Sequence, residues 1–230
     1  MNPFDGFIAA LQLLFSVNPR IIEITLRSLF VSGSAAIIAA LWGIPLATLI
    51  AMRDFRGKFL VRTVFNSLIG MPTVALGFLL FLAFSRETGP LGFLRLLYTP
   101  TAIIIGEAIL ITPIIVSLAI TAIEAVDPEI ADLAKTLGAS ESQASFAVLR
   151  EALGGILLAG VASFNRAIGE LGIAQFVGGF IFGQTELLTT GIWVELQIGN
   201  PETSIALTVI LLTLVFAINL LLNLVRRRRG

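Results

Sequence analysis

Five stretches of the chain, residues 29–51, 64–84, 101–123, 154–172 and 204–225, are long, apolar and close to free of charge. A helix needs roughly 20 such residues to cross a hydrocarbon core of about 30 Å, and each stretch has about that length. Water is absent at that depth, so each backbone N–H and C=O must be satisfied inside the protein, which a helix does within its own segment. Composition agrees: 13% of residues are charged, against about 25% in an ordinary soluble domain. The expected fold is therefore all-α, a polytopic membrane protein of about five spans forming one membrane domain over residues 1–230. Pro72 in Gly70-Met-Pro72 should kink the second span, and Pro113 the third.

The segments between and around the spans complete the plan. In residues 1–18, Phe4, Phe7, Ile8, Leu11, Leu14 and Phe15 share one helical face, in a run too short to cross. It reads as an interfacial helix, or else as a terminal helix of no consequence. No Lys or Arg precedes it, so it is not a secretory signal. Residues 173–203 are broken by Gly178-Gly179, Gly183 and Gly191, with a short helix at 187–196. This stretch reads as an extracytoplasmic glycine-rich segment, and whether it re-enters the membrane stays open. Arg53, Arg56, Lys58 and Arg62 lie in the first inter-span loop, and Arg226 to Arg229 end the chain. With five spans both groups fall on one side, which the bias of Lys and Arg makes cytoplasmic. The N-terminus then lies outside and the C-terminus inside. The arginine tail serves as an anchor at the lipid headgroups rather than on nucleic acid.

One extended polar stretch, residues 124–152, interrupts the apolar blocks. Asp127-Pro128 is a helix start, an acceptor side chain before a proline whose missing N–H is no loss there. Ile130, Leu133, Ala134 and Leu137 recur at helical spacing, Gly138 ends the helix, and a second helix begins near Ser140. On the residues alone this is a helical hairpin outside the lipid, either bare surface or a docking element whose Ala131, Ala134 and Ala139 admit a close partner.

Chemistry is constrained as much by what the chain lacks. It has no Cys and no His, which removes disulfides, thiol nucleophiles, and His or Cys metal ligands and bases. The carboxylates show no metal spacing, and Gly57-Lys58 lacks the rest of a phosphate-binding loop. No catalytic residue, cofactor or metal is expected, and transport energy must come from another subunit or an ion gradient. An intramembrane enzyme has no obvious nucleophile or base here. A stand-alone secondary transporter or channel would more often show two related halves, and none is visible.

Polar groups inside a span stand out because a charge in hydrocarbon must face protein or water. In the fourth span, Gly155, Ala159 and Ser163 form a small-residue face suited to close helix packing, and Arg166 and Glu170 continue it. Ser163, Arg166, Glu170 and Gly172 are candidates for a translocation pathway or gate, with Arg166 attracting an anion. The alternative is an i,i+4 ion pair that only fixes packing.

Two runs of residues resemble known families. Asp132-Leu-Ala-Lys-Thr-Leu-Gly-Ala-Ser140 is similar to the EAA loop of importer-type ABC transporter permeases, with Asp132 in place of the Glu, Leu133 for the first Ala, and Ala134 and Gly138 matching. The Leu-Pro that closes that loop is absent, and Arg150-Glu151 stands there. The resemblance implies a cytoplasmic coupling helix containing Asp127, Glu129, Asp132, Leu133, Ala134, Lys135, Gly138 and Ala139, docked in a cleft of an ATPase subunit. Phe164-Asn-Arg-Ala-Ile-Gly-Glu-Leu-Gly172, Phe176-Val-Gly-Gly179 and Leu187-Leu-Thr-Thr-Gly-Ile192 resemble permeases that import tetrahedral oxyanions, most closely the tungstate type. Molybdate and sulfate permeases share the Arg-Ala-x-Gly-Glu-x-Gly core, so the core alone does not fix the anion. This likeness covers roughly residues 20–225. It implies a homodimeric pore in the plasma membrane, two ATPase subunits inside and an extracytoplasmic substrate-binding protein outside.

Overall fold

The computed structural model of the chain describes residues 18–227, with side chains to residue 221. The interfacial helix expected before Asn18 and the end of the arginine tail lie outside the described residues. Every regular element among them is helical: α1 (Pro19–Met52), α2 (Lys58–Leu68), α3 (Thr73–Phe84), α4 (Pro100–Glu124), α5 (Glu129–Thr136), α6 (Glu141–Ile168), α7 (Leu188–Gln197) and α8 (Pro201–Arg227). Four of them are long and apolar enough to cross a membrane, or five spans if α2 and α3 count as one broken span.

Local chemistry sets the ends. Asn18 Oδ1 accepts the Arg20 N–H at 3.0 Å, ahead of Pro19 in the first turn of α1. Ser140 and Gln143 form a reciprocal box at the start of α6: Gln143 Oε1 accepts the Ser140 N–H at 2.8 Å, and Ser140 Oγ accepts the Gln143 N–H at 3.4 Å.

Three expectations need correction. The second span is not a kinked helix over 64–84, because α2 ends at Leu68 and α3 starts at Thr73. Gly70 gives little support to a helix, Pro72 bars the residue before it from helical geometry, and together they break the rod. The fourth span does not begin at Gly154 or reach Gly172. It is the upper part of α6, which runs unbroken from the polar hairpin and stops at Ile168. Third, Gly191 does not interrupt residues 187–196, since it lies inside α7, where a Cβ would sit 3.0 Å from Leu207 Cδ1. The residues ahead of α7 hold one π-type turn, Ala174–Gly178.

The chain divides into two compact units. The first holds residues 18–35, 72–107 and 165–227. In it, α3 lies directly on the chain after α6: a Cβ on Gly77 would be 3.0 Å from the Gly172 carbonyl, and one on Gly172 would be 3.0 Å from Thr73 Oγ1. Phe78 meets Phe176 edge to face at 5.9 Å. Ile21, Ile24, Leu188 and Leu207 form a buried apolar cluster that joins α1, α7 and α8. The second unit holds residues 36–71 and 108–164. There the small-residue face of α6 meets α4 so closely that a Cβ on Gly155 would lie 2.5 Å from Ala122 Cβ. Arg62 and Lys58 at the head of α2 pair with Glu124 at the end of α4, at 2.8 and 3.6 Å. The α4 window is 72% buried and the α8 window 17%. Most of the apolar surface of α4 is therefore covered by protein, with Ile109 and Leu118 left exposed, whereas most of that on α8 is bare.

Candidate functional site

The polar hairpin belongs to the second unit. Asp127 Oδ1 accepts the Glu129 N–H at 3.0 Å and starts α5, whose first turn carries Glu129 and Asp132. The helix closes where Gly138, at φ +89°, donates to the Lys135 carbonyl and Ala139 donates to the Ala134 carbonyl. No atom lies within 4 Å of a Cβ placed on Gly138, so its backbone angle and not crowding calls for glycine there. Lys135 pairs with Glu141 across the turn at 3.0 Å. Both are exposed, so the pair contributes at most about 1 kcal/mol. Leu133 and Leu137 are 62% and 81% exposed, while Ala134 and Ala139 are half-buried. Leu133 on the helix and Leu137 just past its end thus stand bare in a stretch otherwise rich in charge.

The second candidate group falls at the end of α6. Ser163, in the second unit, is fully buried, and its hydroxyl has no hydrogen-bond partner. Arg166 and Glu170, in the first unit, form the pair their spacing suggests, Nη1 to Oε2 at 2.7 Å. Their surroundings differ: the Arg166 side chain is 36% exposed and that of Glu170 is 2% exposed. Glu170 lies beyond the end of α6, where its Oε1 also accepts the Ile173 N–H at 3.2 Å and its carbonyl accepts the Thr189 hydroxyl at 2.8 Å. The carboxylate therefore ties the guanidinium to the turn that leads to Ala174–Gly178. Gly172 is the close-packing residue against Thr73 described above. On the next turn, Asn165 Nδ2 donates to Asn219 Oδ1 of α8 at 3.0 Å.

Sequence reasoning passed over four further ionisable residues of the first unit. Glu107 on α4 is wholly buried, and neither of its carboxylate oxygens has a hydrogen-bond partner. A lone carboxylate amid the apolar stretch 101–123 was the signal for it. Arg20 reaches both Glu186 and Glu195 at 2.6 Å, and these carboxylates are 1% and 2% exposed. Nothing in the sequence marked them, because Glu186 sits in the stretch read as a glycine-rich loop, Glu195 in the short helix after it, and Arg20 just ahead of the first span. The same unit holds a cavity of about 460 Å³ walled by Phe78, Phe81, Tyr98 and Phe176, with Gln175 as a polar side chain. No charged side chain lines it, so the Gln175 amide and the Tyr98 hydroxyl are the side-chain donors it offers a dianion.

The sequence pattern of the family described as "Binding-protein-dependent transport system inner membrane component" matches residues 43–230. The chain belongs to that family. This permease is 40% identical to the "Tungstate uptake system permease protein TupB" of Peptoclostridium acidaminophilum over 215 residues, 94% of each chain. It is 32% identical to the "Sulfate transport system permease protein CysT" of Escherichia coli, covering 92% of this chain and 80% of that one. Its fold is that of a solved importer, "Inward facing conformations of the MetNI methionine ABC transporter", with a TM-score of 0.71 at 17% identity over 92% of this chain and 96% of that one. The permease is thus the multi-pass membrane component of a transporter that also has ATPase and substrate-binding subunits.

Proposed function

We propose that this permease carries a tetrahedral oxyanion, tungstate, inward across the plasma membrane as a homodimer served by two ATPase subunits and an extracytoplasmic binding protein. The observation that carries the substrate is the 40% identity, over 94% of each chain, to a tungstate uptake permease. The homodimer reading rests on the resemblance to oxyanion permeases; α2, with no buried residue and Phe59 and Leu60 at 83% and 67% exposure, has apolar surface that a second copy would cover. The leucine-bearing hairpin at α5 is the surface for the ATPase, with Asp127, Glu129, Asp132 and Lys135 setting its ends and charge. Ser163, Arg166, Glu170 and Gly172 belong to the pathway. Arg166, neutralised by Glu170, gives a passing attraction to a dianion and not a binding site. Selectivity then lies mainly in the binding protein.

The test is uptake by the complete complex in proteoliposomes. Tungstate should enter with ATP, and tenfold excess molybdate or sulfate should compete weakly. Competition as strong as that of unlabelled tungstate would overturn the substrate, and a mass showing one copy of this chain would overturn the homodimer. Orientation follows from Arg53, Arg56, Lys58 and Arg62. A reporter fused after Gly230 is expected to read as cytoplasmic, and a translocated reporter would reverse the topology.

A further inference from the structure

The start of α1 is sewn to residues 183–195 by polar contacts along one helix face. Arg20 bridges Glu186 and Glu195. Arg27 donates to the carbonyls of Glu186 and Gly183 at 3.0 and 2.8 Å. The Leu188 N–H donates to Ser28 Oγ at 2.8 Å. Positions 20, 24, 27, 28 and 31 recur at the spacing of one face, and Ile24 fills the gap in that row with a contact to Leu188. The opposite side of the segment is fixed differently. Ser204 Oγ on α8 donates to the Ile192 carbonyl at 2.9 Å, and Leu207 packs on Leu188.

Two features of this seam point to motion rather than permanence. The first is its charge. Two almost fully buried carboxylates share one guanidinium; Asn200 Nδ2 donates to Glu195 at 3.1 Å, and Phe182 lies under Arg20 at 4.4 Å. Neither of these brings a positive charge, and Arg27, the second cation of the seam, reaches only backbone carbonyls, so the two carboxylates depend on one guanidinium whose Nε is buried without a partner. Parting the seam toward water relieves the carboxylates and the Nε alike. The second is the ends of the segment. Gly183 and Gly199 stand at φ +72° and +84° with open space around them, so residues 184–198 are bounded by two joints that only glycine holds without strain.

We propose that residues 184–198 form a strap, latched to α1 by Arg20, Glu186 and Glu195, that parts from α1 while staying on α8 during each import cycle. Its place on the extracytoplasmic side rests on the orientation proposed above; the latch itself rests on the contacts of the seam. Opening at this edge lets substrate pass from the binding protein, and reclosure by the latch seals the path behind it.

The chain lacks cysteine, which makes cross-linking clean. Two pairs, Ser28→Cys/Leu188→Cys and Ile24→Cys/Leu188→Cys, span the same seam and leave Arg20, Glu186 and Glu195 in place. Each pair is bridged by a short bifunctional thiol reagent in the complete complex, with the bridged fraction read by mass. Uptake by the bridged complex is expected to fall at least tenfold and to recover on reduction. A bridged complex of either pair that transports within twofold of its reduced form would overturn the latch. The single variant Leu188→Cys gives a readout independent of transport. Its buried thiol should react with a membrane-impermeant maleimide at least tenfold faster while ATP is hydrolysed than without nucleotide. Equal rates would also overturn the proposal. If the reduced complex imports no oxyanion yet the labelling rate rises, the substrate reading fails and the latch stands.

Discussion

Gly138→Val is expected to lower uptake at least tenfold while the chain still inserts and purifies. Gly138 turns the chain at φ +89° with nothing near its Cβ position. Valine therefore meets no neighbour there. Its cost is conformational, at least the 1–2 kcal/mol that a left-handed angle costs an ordinary residue, and more for a β-branched one. Tenfold is about 1.4 kcal/mol, so the strain is large enough to shift the turn. A shifted turn moves Leu133 and Leu137, the two bare side chains proposed to meet the ATPase, away from their cleft. Both uptake and co-purification of the ATPase should drop. Gly138→Asn, which tolerates this angle, should keep most of both. Full uptake by the valine variant would remove the hairpin from the coupling path.

The second large effect concerns Arg166 and Glu170. Removing one member of a buried pair leaves a charge without compensation, and the lower end of the usual range, about 3 kcal/mol, applies because water reaches Arg166. Arg166→Gln leaves the Glu170 carboxylate with only the Ile173 N–H, so it should be the more damaging of the two single changes. Glu170→Gln leaves a guanidinium that already meets solvent. The double Gln variant should recover most of the thermal stability, because it removes the stranded charge along with its partner. Uptake then separates the roles. A pathway residue predicts that the stable double variant still transports slowly at an unchanged half-saturating concentration. Normal uptake by the double variant would make the pair a packing device, and the pathway assignment would be wrong.

The elements most legible in the sequence were those fixed by local chemistry. Asp127-Pro128 and Gly138 mark the hairpin because capping and left-handed turns need those residue types, and the i,i+4 spacing of Arg166 and Glu170 already places them one turn apart. Spans were legible from hydropathy, but their ends were not. The helix start near Ser140 was legible, but nothing in the pattern around Gly154 shows that this helix and the fourth span are one, since hydropathy reports the lipid boundary and not the hydrogen-bond ladder. Glu186 and Glu195 escaped for a further reason. They are buried only because Arg20 arrives from about 170 residues away in sequence, and no local period carries such a contact. Gly191 misled in the opposite sense: it reads as a breaker, but Leu207 packs against it and keeps it helical.

The meeting of Gly77 with Gly172 has a mechanical consequence. Side chains that interdigitate can trade rotamers and let two segments slide, whereas this contact is main chain on main chain, with no rotamer to trade. It behaves as a weld. Whatever force reaches the turn after Ile168 carries α3 along as one rigid piece, and compliance has to come from joints elsewhere in the same unit. A single added methyl at either glycine would have to push back backbone atoms that lie 3.0 to 3.2 Å from it, and turning the Thr73 or Phe176 side chain aside would not clear them.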